Sequence, residues 1–116
     1  MKEPIGCVLW KNPELVFEGK MKERFELIET FVEESHWWRY LLKCRECGHL
    51  YFFEFYEWID WEHGNDPQYS TYLPVDSDEE IEILKKTTQI ELLKFFPRLQ
   101  RDFPEDSEKP KVRWVK

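Results

Sequence analysis

The sequence predicts an α+β fold: a mostly antiparallel sheet with a central aromatic-rich hairpin, packed by an N-terminal helix and a C-terminal helical region. Three observations predict it. Residues 37–44 and 50–61 are rich in strand-forming aromatic residues and flank a Gly-containing turn. Residues 20–35 repeat apolar side chains at helical spacing, and residues 77–96 open with a helix-capping pattern. No repeat or internal linker interrupts the 116 residues, so we expect one domain over 1–116.

Two elements are predicted in the N-terminal third. The apolar run "IGCVLW", bounded by Pro4 and Pro13, predicts a short edge or starting strand. From Lys20 to Ser35, apolar residues recur at spacings of three and four with charges between them, which predicts an amphipathic helix packed by one face. The apolar positions are Met21, Phe25, Ile28, Phe31 and Val32.

The hairpin comes next, in "HWWRYLLKC" and "LYFFEFYEWIDW", and "YSTYLPV" predicts a third strand. Side chains alternate between the two faces of a strand. In the second hairpin strand, the face with Tyr51 and Phe53 is predicted to be the core side. The face with Phe52 and Glu54 mixes aromatic and acidic residues, which predicts a surface.

The C-terminal region begins with Ser77 followed by Glu80 three residues later, which is a capping-box pattern. The helical pattern that follows is predicted to break near Thr87 and Thr88 and to end before Pro97. Near the end, "KVRWV" predicts a last strand or a free tail.

The stretch "KCRECGHL" places Cys44 and Cys47 two residues apart, directly before Gly48. This spacing lets two thiolates from one tight turn bind a zinc ion, but a structural zinc site needs four ligands and a second such pair is absent from the sequence. A zinc site therefore needs further ligands, and three interpretations remain open: a structural turn without metal, a zinc site, or a redox pair. The redox interpretation is the weakest, because the motif joins two strands instead of opening a helix. The candidates for completing a zinc site are Cys7, His36, His49 and His63.

Composition and motifs exclude several classes of function. Four scattered glycines exclude a Gly-rich phosphate loop, and no nucleophile context such as Gly-x-Ser-x-Gly is present, so no catalytic residues are predicted and we expect a non-enzyme. No apolar stretch approaches the length of about 20 residues that a membrane span needs, and no secretory leader pattern is visible. We expect a soluble cytoplasmic protein without a membrane partner.

Charge points to a protein partner. The formal net charge is −7, and residues 50–73 contain five acidic residues and no Lys or Arg. Such a surface repels nucleic acid and attracts a basic protein. Aromatic residues, which make up 17% of the chain, are also enriched at the centres of protein interfaces. The predicted partner-binding residues are Glu54, Trp58, Asp60, Trp61, Glu62, Asp66, Tyr69 and Tyr72.

The stretches "WWRYLLKCRECGHLYFFEFYEW" and "DPQYSTYLPV", with the small size and acidic charge, resemble the immunity proteins of bacterial polymorphic-toxin systems, including contact-dependent growth inhibition. The resemblance covers residues 37–75. It implies a cytosolic protein that binds and neutralises a cognate toxin one-to-one, often a basic nuclease domain. It assigns no contact residue by motif.

A different class of function stays open beside it. A small zinc-ribbon-like adaptor would use the Cys44 and Cys47 knuckle to dock on a larger assembly. A third hypothesis is an acidic mimic that competes for a nucleic-acid-binding protein.

Overall fold

A computed structural model describes residues 2–58, 67–103 and 111–116, and within these ranges the fold is α+β. Four short helices and one 3₁₀ helix accompany six strands. The helices are α1 (Val8–Lys11), the 3₁₀ helix (Pro13–Phe17), α2 (Met21–Arg24), α3 (Asp78–Lys85) and α4 (Gln89–Leu92). The strands are β1 (Phe25–Glu33), β2 (Trp37–Cys44), β3 (Leu50–Glu57), β4 (Gln68–Val75), β5 (Arg98–Phe103) and β6 (Lys111–Val115).

The six strands form one antiparallel sheet whose spatial order is the same as their order in the chain. Its two faces are covered by different segments. On one face, which we call the N-terminal core, Cys7 and Leu9 pack against sheet residues that include Tyr51 and Phe53. On the other face, the C-terminal core, helices α3 and α4 place Leu84 and Leu92 against the sheet. The central strands are therefore buried on both sides.

The predicted hairpin, third strand and helix cap are confirmed. Strands β2 and β3 pair in register, and Gly48 in their turn has a φ of +79°. Ser77 caps α3, because its hydroxyl oxygen accepts a hydrogen bond from the Glu80 amide at 3.2 Å. The helical region breaks between α3 and α4 at Thr87 and Thr88, and residues 111–115 form strand β6. Strand β5 was not predicted from the sequence.

The predicted helix over Lys20–Ser35 is wrong beyond its first turn, since only Met21–Arg24 is helical and β1 follows. The pairing of β1 with β2 shifts register twice, between Leu27 and Glu29 and between Thr30 and Val32. Each extra residue of such a bulge moves the side-chain alternation by one position, so a bulged strand shows apolar spacings of three that imitate a helix. β-Branched residues also favour the strand.

The predicted starting strand over "IGCVLW" is also wrong, because this segment contains the single helical turn α1. Its backbone groups bond locally: the Cys7 amide donates to the Pro4 carbonyl at 2.9 Å, and the Asn12 amide donates to the Val8 carbonyl at 3.0 Å. Leu9 is fully buried in the N-terminal core. The segment therefore covers a face of the sheet instead of extending its edge.

Candidate functional sites

The three cysteines of the chain come together at one end of the sheet. The Sγ atoms of Cys7, Cys44 and Cys47 all lie within 4.8 Å of one another, and we call this group the thiol cluster. Cys44 ends β2 and Cys47 lies in the β2–β3 turn, whereas Cys7 comes from the N-terminal segment that covers the sheet. Cys44 and Cys47 were the candidate metal ligands of the zinc interpretation, and Cys7 was one of four candidates for completing the site; the fold brings these three side chains together.

The turn geometry explains how Cys44 and Cys47 approach each other. The Gly48 amide donates to the Cys44 carbonyl at 2.8 Å, and the Cys44 amide donates to the His49 carbonyl at 2.9 Å. The positive φ of Gly48 lets the chain reverse within this turn. Cys44 is fully buried, while Cys47 is exposed, so the cluster opens to solvent at one position.

A buried hydroxyl lies beside the cluster. Burial raises the pKa of the Cys7 thiol to about 12, and the neighbouring Tyr51 hydroxyl opposes this effect. Burial, followed by the neighbouring Cys7, raises the pKa of the Tyr51 phenol well above its usual value. The Tyr51 side chain is completely buried, and its hydroxyl has no hydrogen-bond partner of standard geometry among the described residues. The Tyr51 hydroxyl therefore adjoins the thiol cluster without a hydrogen bond of standard geometry.

The described histidines lie outside the thiol cluster. His49 follows the turn, but its ring lies against Tyr51 with centroids 5.4 Å apart, and its Nε2 is 4.0 Å from Asp76 Oδ1. His36 is at the opposite end of the hairpin, where its Nδ1 lies 2.7 Å from Glu57 Oε1. His63 lies outside the described residues. The arrangement therefore offers three sulfur ligands.

A second feature lies at the far end of β3. Apolar side chains in or next to β3, β4 and α4, most of them exposed, surround a groove of about 260 Å³. Trp58 is 60% exposed and Ile90 is 78% exposed. We call this patch the aromatic surface; it consists of Tyr56, Trp58, Tyr69, Ile90 and Leu93.

The aromatic surface continues past Trp58 into a second, more open hollow. Tyr56, Trp58 and Gln89 line both. The polar side of this hollow is formed by His36 and Glu57. Hydrogen bonds from Gln68 and His36 lower the pKa of Glu57, so this carboxylate is ionised beside the aromatic rings at neutral pH.

Glu54 was predicted on an exposed acidic face, and this is wrong. It is 3% exposed and its Oε2 accepts from Arg39 Nε at 2.6 Å and from Trp37 Nε1 at 2.9 Å. Arg39 also donates through Nη1 to the Leu84 carbonyl at 3.2 Å, near the end of α3. The face of β3 with even-numbered residues is buried here because α3 and α4 cover it, which the sequence pattern did not indicate.

Tyr72 was also predicted in the binding surface, but it lies in the N-terminal core at 3% exposure, where its ring is tilted against Phe53 with centroids 4.9 Å apart. Its burial raises the pKa of its phenol to about 12. Trp58 and Tyr69, by contrast, are exposed as the prediction requires. The remaining predicted residues, Asp60, Trp61, Glu62 and Asp66, lie outside the described residues.

Tyr56, Ile90 and Leu93 belong to the aromatic surface but were not among the predicted partner-binding residues. Ile90 and Leu93 are three residues apart, so they lie on one side of the short helical segment, whereas the buried Leu92 lies on another. This spacing was the sequence signal that could have identified them. The spacing indicates only that Ile90 and Leu93 point away from the core. It does not indicate that they lie beside Trp58 and Tyr69.

No protein-family model matches the chain, and none of the curated proteins or solved structures matches it. Within the described ranges, the helices are too short and too polar to cross a bilayer.

Proposed function

We propose that this chain is an immunity-type inhibitor, acting in the cytoplasm, that neutralises a basic toxin domain by binding it through the aromatic surface. The observation that carries the proposal is the exposure of Trp58, Tyr69, Ile90 and Leu93 around one groove. Large exposed apolar side chains grouped in this way are typical of protein-binding surfaces. The proposed role is binding and not catalysis.

Charge supports the choice of partner. The chain has a formal net charge of −7, and Glu57 lines the hollow beside the aromatic surface. In the sequence, Asp60, Glu62 and Asp66 come within eight residues after Trp58. A nuclease domain is basic because it binds nucleic acid, so an acidic inhibitor associates with it quickly and competes with its substrate.

In the proposed complex, the aromatic and acidic residues have different roles in binding. Aromatic residues in a groove are the side chains that most often dominate an interface, while surrounding acids mainly accelerate association. Trp58 has the largest side chain in the aromatic surface and lines both the groove and the neighbouring hollow. We therefore assign it the central contact.

The test is calorimetry of the full chain with the C-terminal domain of the large protein encoded immediately upstream, at two salt concentrations. We expect one-to-one binding with loss of that domain's toxicity, and stopped-flow tryptophan fluorescence should show slower association at high salt. Trp58→Ala should weaken binding by about 30-fold or more, the effect of a typical interface hot spot. Lysine substitution of Asp60 and Glu62 should reduce the association rate.

Two isoleucines give a matched control. Ile90 is in the aromatic surface and Ile83 is on α3 outside it, and both are exposed, at 78% and 56%. Ile90→Ala should weaken binding and Ile83→Ala should not. Equal effects of the two variants would reject the aromatic surface, and no binding to a folded toxin domain would reject the proposed function.

The thiol cluster favours a second candidate, the small zinc-ribbon-like adaptor. In that case the partner would contact the β2–β3 turn around Cys47 instead of Trp58. Genetic context separates the candidates, because an immunity gene should directly follow a large toxin gene. Mapping which end of the hairpin is protected by the partner separates them directly.

A further inference from the structure

We propose that Cys7, Cys44 and Cys47 form a three-thiolate zinc site that fastens the N-terminal segment to the β2–β3 turn. The site joins parts of the chain that are 37 residues apart in sequence. It lies at the opposite end of β3 from Trp58, about 25 Å away by the rise of an eight-residue strand. It is therefore separate from the proposed partner-binding surface.

The distances fit such a site. Zinc binds thiolate sulfur at about 2.3 Å, which places the sulfurs of a tetrahedral site about 3.8 Å apart. The Sγ atoms here lie within 4.8 Å of one another, so a shift of about 1 Å or less closes the site. Cys47 lies in an exposed turn and can make that shift without disturbing the core.

Tyr51 supplies an independent observation. Its fully buried hydroxyl adjoins Cys7 and has no partner of standard geometry within the described residues. A buried donor is normally satisfied. When zinc converts Cys7 to a thiolate, its sulfur becomes a charged acceptor for this hydroxyl, and outer hydrogen bonds of this kind orient metal ligands.

Zinc binding at the thiol cluster requires no reactant other than the ion and water. Each of the three thiols loses one proton to solvent as its sulfur binds the ion, so Zn²⁺ and three thiolates carry a charge of −1. Solvent reaches the cluster at Cys47, and a water molecule takes the fourth position. No electron is transferred.

The experiment uses the full chain, reduced and stripped of metal with a chelator, then titrated with Zn²⁺ against a chromophoric competitor. We expect one zinc per chain and loss of thiol reactivity at Cys47, the exposed cysteine of the cluster. Co²⁺ in place of zinc should give the visible spectrum of a tetrahedral thiolate complex. Zinc should also raise the melting temperature, because it binds the folded chain.

Cys47→Ser is the decisive variant, because Cys47 is exposed and its replacement leaves the core packing in place. It should lower the zinc affinity by more than about 100-fold. Losing a residue that only hydrogen-bonds to a metal ligand costs about 10- to 100-fold, so a larger loss identifies Cys47 as a ligand. His36→Ala, at the far end of the hairpin, should leave the affinity unchanged. Equal affinities of wild type and Cys47→Ser would overturn the proposal, as would a Cys47 thiol that stays fully reactive with equimolar zinc.

Discussion

Replacing Glu54 with leucine tests whether the buried ion pair organises the centre of the sheet. Arg39 and Glu54 are 2% and 3% exposed, and their Nε and Oε2 atoms are 2.6 Å apart. Leucine removes the counter-charge of Arg39 and the acceptor of the Trp37 indole N–H. Leaving one partner of a buried pair uncompensated costs about 3–5 kcal/mol.

The corresponding change in melting temperature follows from chain length. At about 2.1 cal/mol/K per residue, a domain of 116 residues loses about 4 °C per kcal/mol. Glu54→Leu should therefore lower the melting temperature by about 12–20 °C. The assay is thermal unfolding by calorimetry, with urea unfolding followed by tryptophan fluorescence to obtain the free energy.

The double variant Arg39→Met with Glu54→Leu separates burial of charge from loss of packing. Replacing both partners with apolar residues of similar volume is often neutral or stabilising, so the double variant should regain most of the lost stability. Glu82→Gln is the control: Glu82 Oε1 is 3.1 Å from Lys85 Nζ on the surface of α3, and its loss should cost less than about 0.5 kcal/mol. A loss below about 1 kcal/mol for Glu54→Leu would refute the buried pair.

Two further predictions concern the ends of the hairpin. Gly48→Ala should cost about 1–2 kcal/mol by urea unfolding, because the φ of +79° is unfavourable for alanine although the nearest atom to the new Cβ, on Lys43, is at 3.7 Å. Gly6→Ala, with no atom within 4 Å, should change stability by less than about 0.5 kcal/mol, and equal losses would contradict the argument. The pKa of Glu57 lies below its ordinary value of 4.5, chiefly because Gln68 donates to the carboxylate, so its stabilising contribution is present above 4.5 and is lost as the pH falls through the lowered pKa. Carboxyl NMR titration should show this pKa rising in Gln68→Ala, and an unchanged value would contradict the assigned cause.

The parts of the fold that depend on local sequence were predictable. The hairpin follows from strand-forming residues on both sides of a turn with Gly48 at the position that needs positive φ. The helix cap follows from Ser77 and Glu80, whose side chains bond to nearby backbone amides. These features need no knowledge of distant segments.

The predictions for β1 and for Glu54 were wrong because tertiary packing overrode the local sequence pattern. In β1, two register shifts produced apolar spacings that imitate a helix, and Phe25 and Phe31 in fact pack into opposite cores. Glu54 looked like a surface acid because alternation alone cannot show that α3 and α4 cover its face. Its partner Arg39 lies on the neighbouring strand, directly opposite in register.

The candidate site was predictable only in part for the same reason. Trp58 and Tyr69 belong to the hairpin region that composition singled out, whereas Ile90 and Leu93 reach the surface only because α4 folds back over the sheet. The thiol cluster shows the opposite case. The spacing of Cys44 and Cys47 indicated two ligands of a possible zinc site. The N-terminal segment then supplied Cys7, one of the candidates for completing it.

The position of the two sites on one hairpin makes their roles separable. Cys47 precedes β3 and Trp58 follows it, so the strand holds both in a fixed relation without direct contact between them. If zinc has only a structural role, Cys47→Ser should bind the toxin domain normally at temperatures where it stays folded, while Trp58→Ala should lose toxin binding but keep zinc. If Cys47→Ser abolished partner binding while the sheet remained folded, the β2–β3 turn would be the contact surface. That result would favour the adaptor over the inhibitor, because it would assign recognition to the end of the sheet that contains the metal.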